Sequence, residues 1–109
     1  MQQHLLEHIR DQLKNCAVVS NEREFCEQWL GKSECYMRTL RFNDLAPSAD
    51  ALMTCATKLK WYARELKGTG KSHHAHWAEL FEQLRSMCVG AVEARAERKW
   101  QRTSNGSAA

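Results

Sequence analysis

The sequence predicts an all-α fold, a five-helix bundle with a long helix at its C-terminal end. Three observations lead there. Apolar residues recur every three or four positions through five segments, as one face of a helix requires. Glycine, proline and N-cap residues fall between those segments rather than inside them. The only β-like run, Ala17-Val18-Val19, is too short to seed a sheet. At 109 residues the chain can build one core but not two.

Leu5, Leu6, Ile9 and Leu13 set the first helix, from about Gln3 to Cys16. Asn21 then reads as an N-cap with Glu24 as the capping-box partner, and a second helix runs to Leu30, its core face made by Phe25, Cys26, Trp29 and Leu30. Gly31 supplies a left-handed turn that a side chain would resist. Ser33 is placed to cap a third helix over residues 34–43, with Met37 and Leu40 pointing inward. Asn43 to Pro47 is a loop, because the residue before proline disfavours helix. Ser48 restarts the chain as a fourth helix from Ala49 to about Lys67, with a stripe of Leu52, Ala56, Leu59, Ala63 and Leu66. Gly68-Thr69-Gly70 breaks it.

The fifth segment runs from His73 to about Arg102. At about 1.5 Å per residue its 28 or so residues span roughly 42 Å, more than a small core needs. Two outcomes fit that length. Either the helix bends near Gly90 and wraps the core, or its distal half packs on a second copy, with Trp77, Leu80, Phe81, Leu84, Cys88 and Val92 as the dimerisation stripe. Residues 1–70 are then a helix-turn-helix region, 71–102 the long helix, and 103–109 a disordered polar tail.

Two short helices joined by one glycine form a helix-turn-helix. The second of them leaves Glu34, Arg38, Thr39 and Arg41 facing outward, where such a helix presents donors to base edges and phosphates. The segment resembles the Xre/Cro, or lambda-repressor-like, class of helix-turn-helix domains. Leu30-Gly31, Ser33, Tyr36-Met37, Leu40 and Pro47-Ser48, with Leu52 and Leu59, stand in the places that define that class, over about Glu24 to Leu66. Two positions depart from it: Glu27 stands where a small residue is usual, and Lys32 where an aliphatic one is. The resemblance implies a dimeric, sequence-specific protein that binds double-stranded DNA and represses its own or a neighbouring promoter. On that expectation Ser33, Glu34, Tyr36, Arg38, Thr39 and Asn43 lie near bases or backbone. Arg38 can contact guanine in bidentate fashion, and Lys32 and Arg41 meet phosphates, which fix register without carrying sequence information.

Charge limits this reading. Sixteen basic and 13 acidic side chains leave a formal +3, so a nucleic-acid role has to rest on clustering. Lys32, Arg38 and Arg41 form one cluster; Arg95, Arg98, Lys99 and Arg102 form another, despite Glu93 and Glu97. The five cysteines, at 16, 26, 35, 55 and 88, contain no C-x-x-C pair and follow no leader-like stretch, which predicts packing roles in a reduced, cytoplasmic protein. No apolar run approaches the roughly 20 residues a membrane span needs. Gly68-Thr69-Gly70-Lys71-Ser72 lacks the upstream glycine and the preceding strand of a phosphate-binding loop. His73, His74 and His76 match no standard zinc spacing. No nucleophile, base and orienting acid can be assembled, so neither an enzyme nor a cofactor or small-molecule substrate is expected. The alternative class is a protein-interaction module, a mobile-element or phage product that blocks a host factor through the Trp77, Phe81, Leu84 face or through Trp61-Tyr62.

Overall fold

The structure, a computed structural model, describes residues 2–108, with side chains over 5–103. The described residues form five α-helices and no strand: α1 Gln2–Asn15, α2 Glu22–Trp29, α3 Tyr36–Asn43, α4 Ala49–Gly68 and α5 Ser72–Ala108. One apolar cluster joins them, from Leu6, Ile9 and Leu13 on α1 through Phe25 and Trp29 on α2, Met37 and Leu40 on α3, and Leu52 and Leu59 on α4 to Phe81 and Leu84 on α5. The core therefore runs through both the first 70 residues and the long helix. An aromatic ladder crosses its middle, with Trp29 stacked on Tyr62 at 5.3 Å and Tyr62 edge-on to Phe81 at 6.2 Å.

Caps explain where the helices begin and end. Asn21 accepts the Glu24 N–H at 2.8 Å, and the Glu24 carboxylate takes the Ser20 N–H at 3.3 Å, a capping box shifted by one residue. Ser48 accepts the Ala51 N–H at 3.1 Å and opens α4. Gly31 is left-handed at φ +65, and Lys32 N–H reaches back to Cys26 O at 3.0 Å to close the end of α2. Ser33 does not cap α3. Its carbonyl accepts the Tyr36 N–H at 3.1 Å in a turn of its own, so α3 starts two residues later than expected, behind Cys35, with no side-chain cap.

Gly70, left-handed at φ +72, lets α4 double back into α5, and these two helices share the most extensive packing in the molecule. The hairpin is antiparallel: Cys55 meets Cys88, and Pro47, just ahead of α4, meets Arg95, each pair lying about equally far from the turn. Helix α5 has 37 residues, about 55 Å at 1.5 Å each, against a longest molecular dimension of 57 Å. It runs through Gly90 as one helix, its length close to that of the whole molecule, rather than bending there to wrap the core. It also continues through Thr103 to Ala108, across most of the stretch whose polarity predicts a tail; Ala109 lies outside the described residues. Because α4 begins opposite Arg95, the last dozen or so residues of α5 overhang the bundle, and every described side chain from Ala96 to Thr103 is exposed.

Candidate nucleic-acid interface

Helix α3 lies on the surface. Met37 and Leu40 seat it on α1 and α2, while Arg38, Thr39, Arg41, Phe42 and Asn43 remain exposed and no part of α5 covers them. Of the eight residues expected to meet DNA, the structure brings Arg38 and Thr39 to this outward face and commits most of the others to the fold. Arg38 makes no ion pair among the described residues; its guanidinium donates to Cys35 Sγ at 2.7 Å. Ser33 and Glu34 are exposed in the turn ahead of the helix, with Glu34 paired to Arg23 at 3.1 Å.

Arg41 is bound within the fold. Its Nη1 and Nη2 reach the two carboxylate oxygens of Glu22 at 3.1 and 3.0 Å, and Nη1 lies 3.4 Å from Glu7 Oε1. Arg10 Nη1 adds a 2.6 Å bond to Glu22. This brace ties α1, α2 and α3 together, and the Arg41 hydrogen bonds, opposed by partial burial and helped by Arg10, hold the Glu22 carboxyl below its ordinary 4.5. Asn43 donates to Thr39 O at 3.0 Å, one turn back on its own helix. Lys32 pairs with Asp50 at 3.1 Å and lies 5.7 Å from the centre of the Tyr36 ring. Tyr36 is a clamp between elements. Its hydroxyl accepts the Ser48 N–H at 2.9 Å and lies 3.4 Å from Ser48 Oγ, fixing the start of α3 to the cap of α4.

Two exposed apolar features stand out, the first not foreseen from sequence and the second built around the Trp61-Tyr62 pair that the interaction-module alternative named. Phe42, at the outward end of α3, is 89% exposed. Along α4 an open groove of about 640 Å³ is lined by Asp50, Met53, Thr54, Thr57, Lys58, Trp61 and Tyr62. Its walls are mainly apolar, and Trp61 is 54% exposed while Tyr62 is held in the aromatic ladder. The periodicity of α4 puts Met53, Thr57 and Trp61 on one stripe, a signal hidden by the stronger core stripe beside it.

The expected dimerisation stripe is largely internal. Phe81, Leu84 and Cys88 are buried by this chain's own α4 and α1, and only Trp77, Leu80 and Val92 keep partial exposure. A residue enclosed in its own core cannot also cover a partner. The cysteines pack as small apolar groups: Cys26, Cys55 and Cys88 are buried, and the hydrogen bond to Cys88, reinforced by burial, pushes the Cys55 thiol well up. A smaller cleft of about 270 Å³ holds Cys16 beside His73, His74 and Trp77. Burial raises the Cys16 thiol, the opposite of an activated nucleophile. His74 Nδ1 sits 2.8 Å from Thr69 Oγ1, and among the described residues no three His, Cys, Asp or Glu side chains converge as metal ligands. No helix among them is long and apolar enough to cross a membrane.

No curated protein and no solved structure matches the chain. One protein family does, over residues 6–101, which takes in all five helices and reaches into the overhanging part of α5. The chain belongs to that family, DUF6626, a family of unknown function.

Proposed function

We propose that this protein binds duplex DNA in sequence-dependent fashion, offering α3 to the major groove, and that it acts as a small repressor by occupying promoter DNA. The observation that supports the reading best is the uncovered outward face of α3, with Arg38 at its centre and no carboxylate paired to it. An arginine so placed can make a bidentate contact to guanine, worth about 1 to 3 kcal/mol of discrimination. The brace through Glu22 and the Tyr36 clamp hold the helix rigidly, so the donor is preorganised. Arg41 and Lys32 serve this rigidity in place of phosphates.

Duplexes from the protein's own upstream region test the proposal by fluorescence anisotropy. Binding should weaken steeply with salt, and Arg38→Ala should reduce the preference for that region over scrambled DNA about tenfold while leaving non-specific binding nearly unchanged. Equal affinity of the native protein for upstream and scrambled duplexes, or no binding at 50 mM salt, would overturn it.

A second reading, a protein-interaction module, is favoured by the α4 groove. Trp61 and Met53 are exposed beside Asp50 and Lys58, an apolar centre with a charged rim suited to a partner helix. Trp61→Ala should then abolish partner capture without altering DNA retention.

A further inference from the structure

The two short helices α2 and α3 and the turn between them bring no net positive charge to DNA. Over residues 22–43, Glu22, Glu24, Glu27 and Glu34 balance Arg23, Lys32, Arg38 and Arg41, a net of zero. Phosphate neutralisation supplies most of the sequence-independent affinity of a DNA-binding protein. It has to come from elsewhere in the fold. Residues 51–103 hold ten basic and five acidic side chains, and their densest basic segment is the overhang of α5.

The overhang is two-faced. Arg95, Arg98, Lys99 and Arg102 recur at i, i+3, i+4 and i+7, which places them within an arc of about 100° on one side of the helix. Glu93 and Glu97 fall on the opposite side, roughly 150° or more from the centre of that arc. The orientation of the basic side is fixed by contact, because Arg95 Nη2 donates to Pro47 O at 2.6 Å in the loop between α3 and α4. The same side of α5 that is apolar at Phe81, Leu84 and Cys88, where it meets the bundle, thus becomes cationic beyond the start of α4. Arg98, Lys99 and Arg102 are exposed and make no ion pair among the described residues. They project past the α3–α4 loop, which Arg95 touches at Pro47.

We infer that the cationic stripe Arg98, Lys99 and Arg102 on the overhang of α5 is a phosphate-backbone contact for duplex DNA, supplying the net positive charge that α2 and α3 lack between them. The inference rests on the DNA-binding reading above. It divides the labour: α3 reads the groove, and α5 holds the strand beside it.

A fluorescein-labelled 20-base-pair duplex of mixed sequence, titrated by anisotropy from 50 to 200 mM salt, tests it. Neutralising the stripe with Arg98→Gln, Lys99→Gln and Arg102→Gln together should lower the slope of log affinity against log salt by about 2 to 3, since each phosphate contact contributes about 0.9. Removing equal charge elsewhere, with Lys60→Gln, Arg64→Gln and Lys71→Gln, should leave the slope within about 1 of the native value. Circular dichroism confirms that both variants fold. A native slope in the stripe variant, or equal losses in both variants, would overturn the inference while leaving the role of α3 standing if Arg38→Ala still alters sequence preference. Displacement of the native protein by polyglutamate as readily as by unlabelled duplex would also overturn it, and would assign the stripe to an acidic protein segment. Failure of the native chain to bind the duplex at all would remove both readings together.

Discussion

Glu22 is the residue on which three helices converge. Its carboxylate accepts from Arg10 on α1 and from both ends of the Arg41 guanidinium on α3, and it stands in the first turn of α2, where the helix dipole also favours a negative charge. Because folding lowers its pKa, its contribution to stability is complete above the unfolded value of 4.5 and is lost as pH falls through the lower folded value. The native protein should therefore lose stability between neutral pH and pH 3, measured by urea unfolding, more steeply than Glu22→Gln does. At pH 7 the substitution should cost about 1 kcal/mol, a modest figure because Arg41 is 39% exposed and screened. An identical pH gradient in the variant would show that the brace is not stabilising. Such residues were the least legible in the sequence. Arg41 reads locally as an outward cation on a recognition helix, and only folding brings Glu7 and Glu22, from two other helices, to its guanidinium. Tyr36 was obscure for a similar reason, since its partner Ser48 was already explained as a helix cap.

At the scale of elements, what could be read was local geometry. Asn21 and Ser48 cap the helices they precede, and Gly31 takes the positive φ a glycine there should take. Ser33 shows where local chemistry misleads. The turn after α2 closes on Cys26 and then makes another turn through Ser33, so the cap position passes to Cys35. The end of α1 was placed at about Cys16, one residue beyond Asn15 where the helix stops, but the cap that ends it was not read. Ala17 is left-handed at φ +62, with Ala17 N–H bonded to Lys14 O at 3.0 Å and Val18 N–H to Leu13 O at 3.0 Å, the paired bonds of a Schellman cap that ordinarily has glycine in the middle. The left-handed conformation costs alanine about 1 to 2 kcal/mol, part of which glycine returns as entropy in the unfolded chain. Ala17→Gly should raise the stability by about 0.5 to 1 kcal/mol in urea unfolding. A destabilised variant would mean that this turn is held in a different conformation.

For the molecule as a whole, the fold class and the order of five helices followed from periodicity, whereas the direction each surface faces did not. The long helix is the clearest case. Its length was read as either a bend near Gly90 or packing on a second copy; Phe81, Leu84 and Cys88 find their partners in the same chain, and the surplus length emerges as an overhang. Its basic residues were visible as a cluster, but their alignment on one side and their placement beside the α3–α4 loop required the Arg95 to Pro47 contact. The resulting molecule is uneven in charge, balanced over residues 22–43 and basic along α4 and the overhang of α5. DNA binding through a reading head with no net charge then requires the basic helix to lie against the same duplex. A 12.6 kDa chain suits nuclear magnetic resonance, and titrating the nitrogen-15-labelled protein with a duplex from its own upstream region tests this arrangement most directly. The account predicts backbone amide shifts concentrated at residues 33–43 and 98–103; shifts confined to the Met53, Thr57 and Trp61 groove, or none at all, would contradict it.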